Sequence, residues 1–368
     1  MRIRSYVSYV IVGLILTSTC SQSSNGDRSV ILQEASGIAR LEDKLIMVGD
    51  DADGRYFELK LEGQKGPIIP IDPREVKEMI LPGAELAMDL EGIDVLADGR
   101  IALLSEQLRC LVAREKIKSD HFVVIAEYDR TLTELGNRGL EGLAVVKLED
   151  GSSQVAVLWE GGYPEYYAVP LQLRDQVGRF PLNPVVVVHR IRDGEVAGLV
   201  HQPLKYITLN VPKPAGDVPL AQRFRATDLV WHRWHDKGEG GDIVQGFIVL
   251  LSSENSPTRE SGVAKEYEIK ILQRFDQEGE PVGDPLHIND VCREVLNAID
   301  EETDETMGQR MSTHIIKVRS RLEDGDYENI NWEGLGWFEE GESLIAIYDQ
   351  VPKDPPFALI IEVPEEWK

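Results

Sequence analysis

The feature that most constrains the fold is a short motif that occurs five times along the chain. In each copy an acidic residue precedes a brief apolar step, usually through glycine, and a turn and an apolar run ending in a second acid follow. Apolar, β-branched runs bounded by Gly, Asp and Asn turns are typical of buried strands in hairpins. Each unit is therefore predicted to begin as a β-hairpin. The motif acids are Glu34, Glu91, Glu141, Asp228 and Glu333, and the runs end at Asp50, Glu106, Glu160, Glu254 and Asp349.

Further strands follow each hairpin. A third apolar or aromatic run is visible in most units, for example at residues 55–59 and 122–126, and a fourth is clearest at residues 184–189. Repeated four-stranded antiparallel units with little helix signal are typical of propeller blades. We predict an all-β protein, a single β-propeller with five visible blades, or six if a degenerate blade lies within residues 170–225 or 290–330. One short, exposed helical insertion is predicted at residues 291–300, and the strand at residues 29–32 is predicted to complete the last blade.

The N-terminus has the pattern of an export signal. A basic lead of Arg2 and Arg4 precedes an apolar run at residues 6–16 that is too short to span a bilayer. Cys20 stands where a bacterial lipoprotein would be acylated, although Thr19 before it departs from the usual small residue. We predict a signal peptide at residues 1–20, a linker at 21–27 and the propeller at 28–368. The protein is then periplasmic or anchored to the membrane through Cys20, or alternatively secreted.

The net charge limits the binding partners that we expect, and the cysteine content limits the possible disulfides. The chain has 64 Asp and Glu against 39 Lys and Arg, a formal net charge of −25. Such a chain has no basic footprint for a nucleic acid, and metal cations are the inorganic partners that it would attract. Beyond Cys20 only Cys110 and Cys292 remain, which predicts either one disulfide or two buried thiols. We expect a monomer.

The repeat also predicts a site. In an antiparallel hairpin the start of the first strand and the end of the second lie at the same end, and the first strand of a blade is the innermost. The motif acids should therefore meet at one mouth of the channel. Carboxylates without His or Cys favour Ca²⁺ or Mg²⁺ over zinc. We predict a Ca²⁺ site there, while the alternative is that each acid accepts N–H groups of the neighbouring blade. The predicted metal ligands are Glu34, Glu91, Glu141, Asp228, Glu333, Asp50, Glu160 and Asp349.

Other catalytic signals are weak. His232 and His235 lie close together beside Asp236, but no third or fourth zinc ligand is evident, so they are predicted to belong to an inserted loop. The chain has neither the Gly-x-Ser-x-Gly turn of α/β-hydrolases nor a phosphate-binding P-loop. Both of those enzyme classes are therefore disfavoured.

Two segments carry a family resemblance. Residues 91–106, with their acid-Gly-aliphatic start and their apolar strand ending in Ser-Glu, and residues 141–144 resemble the "esterase-like activity of phytase" family of bacterial β-propellers. The pattern recurs over most of residues 34–363, and Asp228 departs from it because no glycine follows. The resemblance implies an exported propeller, Ca²⁺, and hydrolysis of phosphate or carboxylic esters.

Two functions follow as hypotheses. In the first, a Ca²⁺-assisted hydrolase acts on a small ester or phosphoester, with Glu106 or Glu254 as general base and Arg55 or Arg109 steadying the developing charge. In the second, a non-catalytic propeller binds a ligand or an envelope protein. The fold does not choose between them. Basic residues converging on the acidic mouth would favour the hydrolase, whereas an uninterrupted acidic mouth would favour binding of cations or of a basic partner.

Overall fold

The described residues form five four-stranded antiparallel sheets, which confirms the predicted all-β propeller with five blades. The computed structural model describes residues 32, 35–49, 54–62, 66–71, 75–78, 89–128, 139–161, 183–192, 203–211, 223–235, 243–254, 270–301, 331–349 and 357–368. Within these residues no helix is long and apolar enough to cross a membrane.

Each blade is a meander that runs outward from the channel. Blade 1 contains β1 (Ala35–Leu41), β2 (Lys44–Gly49), β3 (Arg55–Lys60) and β5 (Glu75–Glu78). Blade 2 contains β6 (Leu90–Val95), β7 (Ile101–Ser105), β8 (Cys110–Arg114) and β9 (Phe122–Glu127). Blade 3 contains β10 (Leu140–Lys147), β11 (Ser153–Trp159), β12 (Val185–Ile191) and β13 (Lys205–Thr208). Blade 4 contains β14 (Arg223–His235), β15 (Ile243–Glu254), β16 (Lys270–Asp276) and β17 (Pro281–His287). Blade 5 contains β18 (Asn331–Glu339), β19 (Ser343–Asp349), β20 (Phe357–Glu362) and β4 (Ile68–Pro70).

The ring is closed by a strand from near the N-terminus. β4 pairs with β20, with Leu359 opposite Ile68, so blade 5 combines three C-terminal strands with one early strand. This corrects the prediction that residues 29–32 close the ring. Residues 29–31 lie outside the described residues, and Leu32 is buried without belonging to a strand. Closure with β4 covers the edge that β20 would otherwise expose.

All five inner strands carry a β-bulge at the same place. The pairing of the first with the second strand skips one residue near the start of each blade, so the bulged residues are equivalent by register. The bulged residues are Ser36, Glu91, Glu141, Thr227 and Glu333. The residues that follow them are Gly37, Gly92, Gly142, Asp228 and Gly334.

The glycines after the bulges allow neighbouring inner strands to touch. A Cβ on Gly92 would lie 2.7 Å from Leu143 Cβ, and one on Gly142 would lie 2.9 Å from Asp228 Cα. A Cβ on Gly37 would lie 3.0 Å from Gly92 Cα. Glycine thus recurs in the motif because the inner strands pack backbone against backbone around a narrow channel.

The hydrophobic core is divided among the spaces between blades. Side chains of successive strand residues point to opposite faces of the sheet, so each blade contributes to two neighbouring layers. Between blades 1 and 2, for example, Ile46 and Val48 of β2 pack with Ile101 and Leu103 of β7. Five such layers hold the ring together.

The helix differs from its prediction. α1 (Ile288–Glu301) includes residues 291–300, but it is not an exposed excursion. Ile288 and Cys292 are fully buried against a core layer that includes Trp332, whose indole N–H donates to the Asn289 side chain at 3.1 Å. Apolar residues three and four apart therefore face the blades.

Two predicted strands occupy a different place in their blades from the one that the sequence pattern suggested. Residues 122–126 form the fourth strand of blade 2, because the third strand, β8, follows a tight turn that the sequence pattern did not reveal. Residues 184–189 contribute to β12, the third strand of blade 3, and residues 165–169 lie outside the described residues. His232 and His235 belong to the long strand β14 rather than to an inserted loop.

The two cysteines are buried free thiols, so the second alternative holds. Burial raises the pKa of both Cys110 and Cys292 to about 12. We expect thiol reagents to label neither residue in the native protein and to label both after unfolding, because reaction needs an accessible thiolate. Mass spectrometry after alkylation tests this, and a melting temperature that falls on addition of reductant would contradict it.

Candidate functional site

The predicted meeting of strand starts and strand ends is present. Leu90 of β6 pairs with Ser105 of β7, and Leu140 of β10 pairs with Trp159 of β11. Just beyond these pairs, the Glu106 N–H donates to the Asp89 carbonyl at 2.9 Å and the Glu160 N–H donates to the Gly139 carbonyl at 3.2 Å. The acids that end the second strands thus lie beside the starts of the inner strands, at one mouth of the channel.

Three carboxylates of blade 2 form a compact group, here called the acidic triad: Asp89, Glu91 and Glu106. One oxygen from each lies within 4.8 Å of the other two. Glu91 is the bulged residue of β6 and is only 4% exposed, while Asp89 has a positive φ of 43° that turns the chain into the strand. Two ligands at 2.3–2.6 Å from one Ca²⁺ can be about 5 Å apart at most, so the spacing suits such an ion.

A glycine makes room for the triad. A Cβ on Gly139 would lie 1.8 Å from the Glu106 Oε1 atom, so the Glu106 side chain occupies the space that any other residue at position 139 would fill. Gly139 precedes β10 of the next blade. A glycine at position 139 is therefore explained by the space that the Glu106 carboxylate needs, and not by a turn.

A second carboxylate group surrounds Arg225 of β14. The Arg225 guanidinium donates to Glu160 at 3.1 Å and to Glu333 at 3.2 Å, and Glu160 is 1% exposed. The other Glu160 oxygen, Oε1, accepts the Gly139 N–H at 3.3 Å. Burial lowers the pKa of Arg225, but the charges of Glu160, Glu333 and Glu141 raise it more. This Arg225 cluster joins blades 3, 4 and 5.

Glu141 connects the two groups. Burial raises the pKa of its carboxyl well above the ordinary value, and the charge of Glu160 raises it further. Arg225 acts in the opposite direction, and Glu333 and Glu106 add to the increase. Crowded carboxylates disfavour one another's charged forms, and in this set the effect is seen as the raised pKa of Glu141.

Not all predicted residues can be placed. Glu34 and Asp50 lie outside the described residues, as do the side chains of Glu254 and Asp349, whose backbones end β15 and β19. Arg55 begins β3, and Arg109 precedes β8 in the turn after Glu106, so both lie at the level of the third strands. The arginine that contacts the mouth carboxylates is Arg225, which the prediction missed.

The position of Asp228 differs from the prediction that it is equivalent to the motif glutamates. The register places Thr227, not Asp228, at the bulge of blade 4, so Asp228 occupies the glycine position one residue further along the channel. Its oxygens accept the N–H groups of Leu229 at 2.7 Å and Leu335 at 2.6 Å. Burial raises its pKa well above the ordinary value. Asp228 thus connects blade 4 to blade 5, as in the structural alternative, and Ser36 rather than Glu34 takes the bulge position of blade 1.

Asp94 of β6 makes a similar connection. Its oxygens accept the N–H groups of Val95 at 2.7 Å and of Val145, in blade 3, at 2.6 Å. Burial raises its pKa to about 7. The sequence motif did not single out this residue, because it lies two positions beyond the repeated glycine.

Comparison with known proteins adds little to this geometry. No protein-family model matches the chain, and no curated protein is significantly similar to it. An endo-arabinase from Bacteroides thetaiotaomicron VPI-5482 is 8% identical, with 91% of this chain and 95% of that chain covered at a TM-score of 0.41. A thermostable family-43 glycoside hydrolase is 9% identical, with 90% of each chain covered and a TM-score of 0.39. A gluconolactonase from Xanthomonas campestris is 11% identical, with 90% and 87% covered and a TM-score of 0.34. The fold assignment therefore rests on the sheet topology itself.

Proposed function

We propose that this protein is an exported, phytase-like β-propeller that hydrolyses an ester with the assistance of Ca²⁺ bound by the acidic triad. The observation that carries the proposal is the approach of Asp89, Glu91 and Glu106 to within 4.8 Å of one another. Export would use residues 1–20, followed by lipidation of Cys20 or by secretion.

The donor set favours calcium. All three triad ligands are carboxylates, which are hard donors, and Ca²⁺ accepts such ligands in a flexible geometry, whereas Mg²⁺ demands near-ideal octahedral geometry and gives up its water reluctantly. A bound Ca²⁺ would polarise an ester oxygen and stabilise the charge that develops on it. Since Glu106 belongs to the triad, its role in the proposal is to bind the ion, and Glu254 remains the proposed general base.

The charge of the acidic mouth limits the net charge of the substrate that can bind there. Arg225 is the basic residue that contacts the carboxylates among the described residues, and it is already ion-paired with Glu160 and Glu333. Within the part of the chain that the structure describes, Arg225 is already paired with Glu160 and Glu333 and so offers no spare cationic group to a polyanion such as phytate. A carboxylic ester of low negative charge is therefore the proposed substrate class.

The same observation favours a second candidate function. A mouth whose arginine is neutralised by its own carboxylates is close to the uninterrupted acidic mouth expected of a cation-binding protein. In that alternative the triad holds Ca²⁺ for stability, or for binding an envelope protein, and no ester is hydrolysed.

Calcium should stabilise the protein measurably. At a concentration 100 times its Kd, a ligand of the native state adds about 2.7 kcal/mol to the free energy of unfolding, which corresponds to a rise of roughly 5 °C in the melting temperature. We expect this rise on adding Ca²⁺ to chelator-treated protein, and we expect Glu91→Gln and Glu106→Gln to abolish it. Glu278→Gln, in an exposed turn outside the mouth, is the matched control and should keep it.

Turnover distinguishes the two candidates. With p-nitrophenyl acetate as probe, the hydrolase hypothesis expects Ca²⁺-dependent release of p-nitrophenol that falls at least about 100-fold in Glu91→Gln. A Ca²⁺-specific rise in melting temperature without turnover of carboxylic or phosphate esters would leave the binding propeller. No rise with any divalent ion would reject the metal site itself.

A further inference from the structure

A cavity lies at the mouth of the channel opposite the acidic triad. Its volume is about 770 Å³, within the range of small-molecule sites. The inner strands start at the acidic triad and end here, so the cavity is lined by their second halves and by the hairpin turns that follow. It is therefore a different site from the proposed hydrolytic centre, and nothing in the proposed function uses it.

The floor of this cavity is built around one acid. The register that aligns the bulges also aligns a ring of residues two positions beyond the repeated glycine. Four members are small or apolar and leave space, whereas Asp94 in blade 2 is a carboxylate. All five line the cavity, and they are Ala39, Asp94, Ala144, Val230 and Gly336.

The Asp94 carboxylate is held in position and retains acceptor capacity. Its two oxygens accept the Val95 and Val145 N–H groups at 2.7 and 2.6 Å. Each carboxylate oxygen has a second lone pair, so Asp94 can accept further hydrogen bonds from the cavity side. The burial that raises its pKa, together with the charge of Glu340, is a cost that a bound cation would offset.

One wall of the cavity is aromatic. The Trp337 indole N–H donates to the Trp231 carbonyl at 2.8 Å, and the Trp231 indole N–H donates to the Ala144 carbonyl at 3.2 Å. These bonds fix the two rings: Trp231 is 5% exposed and packs on Phe247, whereas Trp337 is half-buried and can offer ring surface to a ligand. The neighbouring Phe338 ring already has a cation beside it, since the Arg40 guanidinium lies 5.2 Å from its centre.

The rim of the cavity is acidic. Exposed carboxylates from the hairpin turns outnumber the basic side chains of Arg40 and Lys147, and Arg40 is bound to the Phe338 and Glu42 carbonyls. A cleft lined predominantly by one sign of charge concentrates ligands of the opposite sign. The acidic rim residues are Glu42, Glu149, Glu339 and Glu340.

We propose that this cavity binds a small organic cation, a ligand with a protonated amine next to an apolar or aromatic body. The ammonium group lies at Asp94, and the body packs against Trp337. A metal ion fits this site poorly, because a single carboxylate among aromatic and aliphatic side chains offers too few oxygen ligands.

Calorimetric titration with two isosteric probes tests the proposal. Benzylamine carries the ammonium group, and benzyl alcohol has the same body without the charge. In full-length protein saturated with Ca²⁺, so that the triad is filled, we expect benzylamine to bind at least about tenfold more tightly than benzyl alcohol. Asp94→Asn should remove most of that difference.

A rim variant keeps the test valid if Asp94→Asn fails to fold. Ala97 lines the cavity in the turn after β6, and its backbone N–H donates to Ser153 at 2.8 Å. Ala97→Lys adds bulk and positive charge and should weaken benzylamine binding about tenfold, while Ala97→Gln, of similar size but neutral, should weaken it less. Both variants leave the core side chains unchanged.

Three results would overturn the proposal. The first is equal affinity for benzylamine and benzyl alcohol, which would indicate a neutral aromatic pocket. The second is benzylamine binding that Ala97→Lys leaves unchanged and that Glu106→Gln weakens, which would place the amine at the acidic triad. The third is the absence of binding at millimolar benzylamine.

Discussion

Arg225→Met is expected to lower the free energy of unfolding by about 3–5 kcal/mol, because it removes the cation that neutralises two mouth carboxylates. Glu160 is 1% exposed and loses an ion pair of 3.1 Å, and Glu333 loses one of 3.2 Å. Methionine fills much of the same volume, so the loss reports charge rather than a cavity. Urea denaturation at neutral pH and constant ionic strength measures it.

Further substitutions at Arg225 and at its partner Glu160 distinguish the effect of charge on stability from the effect of packing. Arg225→Lys keeps the positive charge but not the forked donor geometry that reaches Glu160 and Glu333 together, so it should recover only part of the lost stability. Combining Arg225→Met with Glu160→Gln should cost less than the sum of the two single changes, since the double variant leaves fewer buried charges without a cation. Strict additivity would show that Arg225 and Glu160 do not interact.

The pH dependence of the same variant has a definite sign. Arg225 opposes the rise in the pKa of Glu141, so without Arg225 that folded-state pKa rises further and the folded protein binds more protons than the unfolded chain in the acidic range. The stability deficit of Arg225→Met should therefore shrink as the pH falls from about 8 to about 5, as the Glu141 carboxyl becomes protonated. A deficit that grows on acidification would contradict the electrostatic account.

The hairpins and the blade architecture followed from the sequence, because each depends on local information. Buried strands such as β7 and β11 are short apolar runs between turn residues, and the five-fold motif made the repetition visible. Ring closure was not predictable in the same way. β4 has three residues, and it interrupts blade 1 while pairing with a strand from the other end of the chain. No local pattern carries that long-range pairing.

The placement of three motif acids at one mouth was predictable because these acids share a structural position. Glu91, Glu141 and Glu333 are all bulged residues of inner strands. The prediction failed in the two blades that lack an acid there. In blade 4 Asp228 imitates the motif while it occupies the glycine position, and only the pairing register distinguishes the two frames. A bulge is set by pairing with the second strand, so it leaves little trace in a single strand's sequence.

The features that the sequence did not reveal occur once rather than five times. Asp89 stands two residues before the motif glutamate of blade 2, and Arg225 stands two before the bulge of blade 4. Asp94 occurs where other blades have small or apolar residues. A repeat search finds what blades share, whereas binding chemistry in a propeller depends on what one blade does differently from its neighbours.

The second large effect on stability is expected where the inner strands approach each other most closely around the channel. Gly92→Ala should lower the free energy of unfolding by about 3 kcal/mol, at the upper end of the usual cost of overpacking. The added Cβ would lie 2.7 Å from Leu143 Cβ and 3.0 Å from Leu143 N, and both belong to the neighbouring inner strand. That strand cannot withdraw easily, because it is paired along its length with β11.

Gly139→Ala is the matched contrast, since it adds the same methyl group at the same mouth. Here the three atoms nearest to the added Cβ, namely Oε1, Cδ and Cγ, all belong to the flexible side chain of Glu106, which can rotate away. Gly139→Ala should therefore retain most of its stability and lose the Ca²⁺-induced rise in melting temperature, whereas Gly92→Ala should show the reverse pattern. Thermal melts of both variants with chelator and with Ca²⁺ measure the two effects together. If both variants lost stability equally and kept the Ca²⁺ response, neither the close approach of the inner strands nor the placement of Glu106 in the triad would hold.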